Sequence, residues 1–144
     1  MYRVEKKFSF PMGHRLCKHN GACFNFHGHN YNVLVGMSSA TLNKDDMVID
    51  FGKLKEFLKP YFDDFDHALM INKFDEYRES MEKLKMKMIV IDTDPTAERM
   101  SEQIFYYIDN NIDVLRGSSG NNRLYVEYVT VYETDGAKAT YSRG

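Results

Sequence analysis

Hydrophobic positions change period several times along the chain, and the changes mark its elements. Residues 2–11 carry Val4, Phe8 and Phe10, and the two phenylalanines share one side of an extended chain. A strand is expected there, ended or bent by Pro11. Residues 12–28 have little period and read as a loop of unusual content: both cysteines and three of the five histidines lie in it. From 29 to 40, Tyr31, Val33, Val35 and Met37 alternate with Asn30, Asn32, Leu34 and Gly36, which predicts a second strand. A turn at Asn43–Asp46 leads to Met47-Val48-Ile49.

Asp50 suits a helix N-cap. Leu54, Phe57, Leu58, Tyr61, Phe62 and Phe65 follow at helical spacing, with Pro60 expected to kink the helix or restart it. Residues 73–87 are long and charged and read as a solvated excursion with at most a short helix. Met86–Ile91 suggests a third strand. Asp94 or Thr96 caps the next helix, whose stripe is Met100, Ile104, Ile108, Ile112 and Leu115. Residues 117–122 read as a loop. A fourth strand runs from 124 to about 134, and Asp135-Gly136 is a hairpin signal that lets residues 137–142 pair back. The order implies an α+β architecture with helices on one face of the sheet.

The 144 residues suit one domain spanning 1–144. Nineteen basic and twenty-one acidic residues give a net charge of −2, which argues against a nucleic-acid partner. Aromatic residues, at 14%, argue against disorder. No apolar run is long enough to span a bilayer, so no membrane partner is expected. The first residues lack a secretory signal, and the expected location is the cytoplasm, with Cys17 and Cys23 as thiols.

His27-Gly28-His29 places two imidazoles on one face of an extended segment. A hairpin between the first two strands carries His14 back beside them. Three histidines with an open fourth position resemble a catalytic zinc site. Cys23, four residues before His27, is open to two roles: a fourth ligand that closes the site, or a base or nucleophile beside it. Cys17 competes for either role. Asp66-His67 offers an imidazole with a carboxylate to fix its tautomer, but only if a local bend turns the neighbours toward each other. Glu133, at a strand end, can accept two hydrogen bonds from an amino-pyrimidinone edge if it is buried. Thr96 and Glu98 open a helix, where Glu98 also complements the dipole.

Together, His14-Arg15-Leu16, Cys23-x-x-x-His27-Gly28-His29-Asn30-Tyr31, Met47–Phe51 with Leu54-Lys55, Asp66-His67, Pro95–Glu98 and Glu133-Thr134 resemble the 6-pyruvoyltetrahydropterin synthase family over nearly the whole chain. The resemblance implies the tunnelling fold: a four-stranded antiparallel sheet with two main helices packed on one face, assembled around a barrel as a homohexamer, a dimer of trimers. It implies zinc on His14, His27 and His29, and Cys23, Asp66 and His67 as catalytic residues, the last two sometimes acting across a subunit interface. It also implies that Thr96, Glu98 and Glu133 bind the pterin. The three residues between Cys23 and His27 match the carboxy-forming branch. That branch converts 7,8-dihydroneopterin triphosphate to 6-carboxy-5,6,7,8-tetrahydropterin, releasing acetaldehyde and triphosphate, in queuosine and other deazapurine biosynthesis. The alternatives are triphosphate elimination without side-chain cleavage, giving the pyruvoyl product, and a non-catalytic pterin-binding module. Arg15 and Lys18, beside the metal loop, are the nearest candidates for holding the triphosphate.

Overall fold

The sheet is built outward from its first hairpin. In the computed structural model, which describes residues 1–144, β1 (Tyr2–His14) pairs antiparallel with β2 (His27–Ser39) in unbroken register from Tyr2↔Ser39 to His14↔His27. β1 runs straight through Pro11 rather than ending there. The Pro11 carbonyl accepts the His67 N–H at 2.8 Å, so this residue turns its backbone away from β2. The missing proline N–H therefore removes no bond from the β1–β2 ladder.

Six strands form one sheet in the order β4-β3-β1-β2-β5-β6, not the four expected. β5 (Tyr125–Thr134) pairs antiparallel with β2, and β6 (Ala137–Ser142) returns through the Asp135-Gly136 turn. On the other side, β3 (Leu69–Asn72) and β4 (Met88–Ile91) run parallel, so the sheet is mixed. β3 has four residues, three of them buried, too few to show a period in the sequence. It meets β1 only at Gly13↔Leu69 and His14↔Met70, beside the metal loop.

Helix α1 (Phe51–Asp63) is capped by Asp50, whose carboxylate accepts the Gly52 N–H at 2.6 Å. The helix continues past the exposed Pro60 without restarting. A short α2 (Arg78–Lys83) interrupts the charged excursion. Thr96, not Asp94, caps α3 (Ala97–Asn110), accepting the Arg99 N–H at 3.2 Å. The stripe expected as one helix breaks at Asn111, and α4 (Ile112–Ser119) runs past Gly117 to end at Gly120, whose φ of 67° closes it.

One sheet face carries the core. Phe10, Tyr31, Val33, Val35, Met37, Val129 and Val131 pack against Leu54, Leu58 and Phe62 of α1, Met100, Ile104 and Ile108 of α3, and Leu115 of α4. Even-numbered residues of β1 and odd-numbered residues of β2 face these helices, which puts His14, His27 and His29 at the end of the same face. No helix is long and apolar enough to cross a membrane.

Candidate metal centre and active site

Three imidazoles meet where the β1–β2 hairpin opens into the loop. One ring nitrogen from each of His14, His27 and His29 lies within 4.8 Å of the others. His14 Nδ1 donates to the Pro95 carbonyl at 2.8 Å, and His27 Nδ1 donates to the Asn25 carbonyl at 2.7 Å. Both Nε2 atoms are then proton-free acceptors, yet they face each other at 2.9 Å. Two lone pairs at that distance repel unless a cation lies between them. His29 Nε2 is buried with no hydrogen-bond partner. Burial pushes the His14 imidazole down to about 4, against the pull of the Pro95 hydrogen bond and assisted by the neighbouring His27 and His29. At neutral pH the ring is an unprotonated ligand. The donor set therefore fits a metal ion of the zinc type.

Glu133 ends β5 on the same face, with Oε2 3.7 Å from His29 Nε2. It is half-buried, not the exposed strand end that its position also allowed. Tyr31 lies beneath the cluster, its ring 5.4 Å from His29 and 5.9 Å from His14, and its hydroxyl is buried without a partner. Burial holds that phenol well above its ordinary range, with Glu133 and Cys23 adding to the effect. Cys23 rides on a single 3₁₀ turn, Ala22–Phe24, and its carbonyl accepts the Leu16 N–H at 2.9 Å. It lies outside the group of convergent ligand atoms, which contains the histidines alone.

Asp66 and His67 do face each other, His67 Nδ1 lying 2.8 Å from Asp66 Oδ1. The bend that this needs is a left-handed His67, with φ of 58°. Lys87, at the foot of β4, holds the bend from below, donating at 2.7 Å to the carbonyls of Asp63 and Asp66. The His67 side chain is 79% exposed. It lines a concavity of about 340 Å³ with Pro11, Met12, Gly13, Gly28, His29 and Asn30, and an adjoining one of about 440 Å³ with Phe26 and His27. His67 thus borders the same concavities as two of the cluster histidines, without joining their convergent ligand atoms. Thr96 and Glu98 follow Pro95 directly, so the start of α3 abuts the cluster; Thr96 is occupied as the cap and Glu98 is exposed.

Arg15 is not a free cation. Its side chain is 1% exposed and paired with Asp75, so it has no surface to offer a triphosphate. Lys18 is exposed. Three polar residues that the sequence did not single out for the site also hold the loop. Asp94 accepts the Cys17 thiol at 3.0 Å, the Lys18 N–H at 2.9 Å and the Asn72 amide at 3.0 Å. Burial pushes the Cys17 thiol up to about 11, and the Asp94 hydrogen bond adds to the shift. The Cys17 thiol is thus engaged by Asp94 rather than free. Asp75, in the excursion read as solvated, is buried; an acidic residue amid charged neighbours gave no signal of that.

A family model described as 6-pyruvoyl tetrahydropterin synthase matches residues 3–144. Several curated proteins named 6-carboxy-5,6,7,8-tetrahydropterin synthase are similar to the chain. The one from Aquifex aeolicus is 31% identical over 160 residues, covering 97% of this chain and 97% of its own. A solved structure of an uncharacterized protein from Wolinella succinogenes superposes with a TM-score of 0.84 at 20% identity, covering 99% of this chain and 98% of its own. The 6-pyruvoyl tetrahydropterin synthase of Plasmodium vivax superposes at 0.71 with 23% identity, covering 99% of each chain. At these identities the two structures show a shared fold.

Proposed function

The chain belongs to the 6-pyruvoyl tetrahydropterin synthase family, and from that premise we propose that it is a zinc-dependent lyase acting on 7,8-dihydroneopterin triphosphate. The product is 6-carboxy-5,6,7,8-tetrahydropterin, with acetaldehyde and triphosphate released. The observation that carries this reading is the pair of proton-free Nε2 atoms of His14 and His27 facing each other beside the partnerless His29 Nε2. The carboxy-forming outcome is supported by the names of the curated relatives and by the three residues between Cys23 and His27.

His14, His27 and His29 would hold the zinc, which would supply Lewis acidity toward the substrate side chain. Cys23, outside the ligand set, takes a proton from the substrate side chain. Asp66 fixes the tautomer of His67, which returns or relays a proton. The exposed His67 is open both to its own cluster and to that of a neighbouring copy in a homo-oligomer, a dimer of trimers. Glu133 accepts the N–H groups of the pterin edge, and Thr96 and Glu98 flank the ring. Oxidation of the hydroxylated side chain supplies the two electrons that reduce the dihydropterin ring to the tetrahydro level, so no nicotinamide takes part. We place the reaction in the cytoplasm, in queuosine or related deazapurine biosynthesis.

The test is to incubate the zinc-loaded protein with 7,8-dihydroneopterin triphosphate and identify the products. Acetaldehyde together with the 6-carboxy pterin is expected. A pyruvoyl product without acetaldehyde overturns the carboxy-forming reading, and unchanged substrate bound to the protein assigns a binding module instead.

A further inference from the structure

We propose that Arg15 is a positioning residue for Cys23, and that residues 73–87 exist in part to hold it. The inference rests on the reading that Cys23 is the thiol that handles the proton. Two hydrogen bonds, one from the backbone and one from a side chain, tie the Cys23 turn to the residues that immediately follow the ligand His14. Leu16 N–H donates to the Cys23 carbonyl at 2.9 Å, and Arg15 Nε donates to the Phe24 carbonyl at 2.8 Å. The peptide units on the C-terminal side of Cys23 are therefore referenced to the metal ligand through two successive residues.

Arg15 can serve this purpose only if it does not move, and its surroundings prevent movement. The guanidinium carbon lies 4.3 Å from the Phe24 ring centre and 4.4 Å from that of Tyr77. Nη1 pairs with the carboxylate of Asp75, whose side chain is fully buried, and Nη2 lies 3.5 Å from Glu76. Asp75 also accepts the Tyr77 N–H at 2.9 Å, so one carboxylate fixes both the charge partner and an aromatic wall. The Phe26 ring packs against Tyr77 at 5.8 Å and carries the contact to the residue before His27. Arginine suits this place because its flat fork can stack on rings while donating in their plane; lysine cannot do both. A buried ion pair is a weak source of stability, and here Arg15 Nη2 and Asp75 Oδ2 lack hydrogen-bond partners. What the pair does supply is a fixed geometry between the β3–α2 segment and the metal loop.

The experiment compares wild type, Asp75→Asn, Arg15→Lys and Tyr77→Leu, each loaded with zinc. All keep the three histidines, so zinc content should stay at the wild-type level. Hydrogen exchange of residues 16–26 should accelerate by about tenfold or more while β2 and α3 stay protected. Turnover of 7,8-dihydroneopterin triphosphate should fall about 100-fold, the size of effect expected from misplacing a reacting group by about 1 Å. KM should stay within about threefold, because ground-state binding is untouched. Should Asp75→Asn fail to fold, Tyr77→Leu, which keeps the ion pair and loses only the stack, decides the question. Unchanged exchange in 16–26, or wild-type kcat in a folded variant, overturns the proposal. Loss of zinc from these variants overturns it as well, since Arg15 would then serve the ligand rather than the thiol. If wild type does not turn over the pterin, the functional reading fails, and the exchange measurement still decides whether the clamp exists.

Discussion

His14 and His27 present their Nε2 atoms to each other at 2.9 Å, with neither holding a proton to share. Each ring has spent its Nδ1–H on a backbone carbonyl. Only a cation makes this arrangement favourable. His14→Ala should therefore weaken zinc binding by at least about 100-fold, beyond the range typical of losing a supporting residue. Dialysis against a graded chelator followed by metal analysis measures it. In wild type, zinc at about 1,000 times its Kd should add about 4 kcal/mol of stability, read as a higher Tm. Equal zinc content in wild type and His14→Ala would refute the site.

His67 holds a left-handed backbone conformation, with φ of 58°. A left-handed conformation costs an L-residue about 1–2 kcal/mol, and glycine escapes that cost. His67→Gly should leave unfolding stability within about 1 kcal/mol of wild type, the relief offsetting the added freedom of the unfolded chain. Turnover should fall by about 10²–10⁴, the usual contribution of a positioned acid or base. Urea unfolding and initial rates on the same preparations separate the two effects. A variant that loses stability and keeps its rate contradicts the assignment.

Asp94 makes the loop sensitive to acid. Burial works against its ionised form but is outweighed by the Cys17 thiol, the Asn72 amide and the Lys18 and Cys17 backbone, which hold the carboxyl below its ordinary value of 3.8. A depressed carboxylate contributes stability that is present above the unfolded value and disappears as pH falls through the folded one. Asp94→Asn should therefore lower Tm at pH 6 and make little difference near pH 2. A Tm gap that persists undiminished at pH 2 would show that charge is not what holds the loop.

Gly36 leaves room for a neighbouring ring. A Cβ there would run into the Tyr128 ring, which sits opposite in the β2–β5 register and is anchored through its hydroxyl to Glu5. Gly36→Ala should destabilise by about 1–3 kcal/mol, as overpacking does. Adding Tyr128→Ala should recover most of that loss. Additive penalties in the double variant would mean that the ring is not the obstacle.

Much of this architecture was legible because it is periodic. Alternation located β2 and the long part of β5, the Asp-Gly turn gave the β5–β6 hairpin, and the spacing of Met100 to Ile108 gave α3. His14, His27 and His29 could be placed together because a hairpin is a local object: its pairing follows from chain continuity. β3 was not legible, since four residues carry no period and its register is set by contact with Gly13 and His14 of β1. Arg15 and Asp75 were misjudged for a related reason. Charged residues in a loop are ordinarily solvated, and nothing local reveals that two of them, 60 positions apart, are buried against each other. The His67 bend lies between these cases. The chemistry of an adjacent Asp-His pair demands a turn, but only the backbone shows that the histidine itself supplies it.

The hydrogen bond from His14 to the Pro95 carbonyl spans 81 positions. The β1–β2 hairpin can gather the three imidazoles early, but the tautomer that frees His14 Nε2 is set only when the segment before α3 has docked. Metal capture with full affinity should thus come late in folding, reporting a finished structure rather than nucleating one. In a refolding experiment, zinc supplied at the start and zinc supplied at the end should give the same rate of core formation.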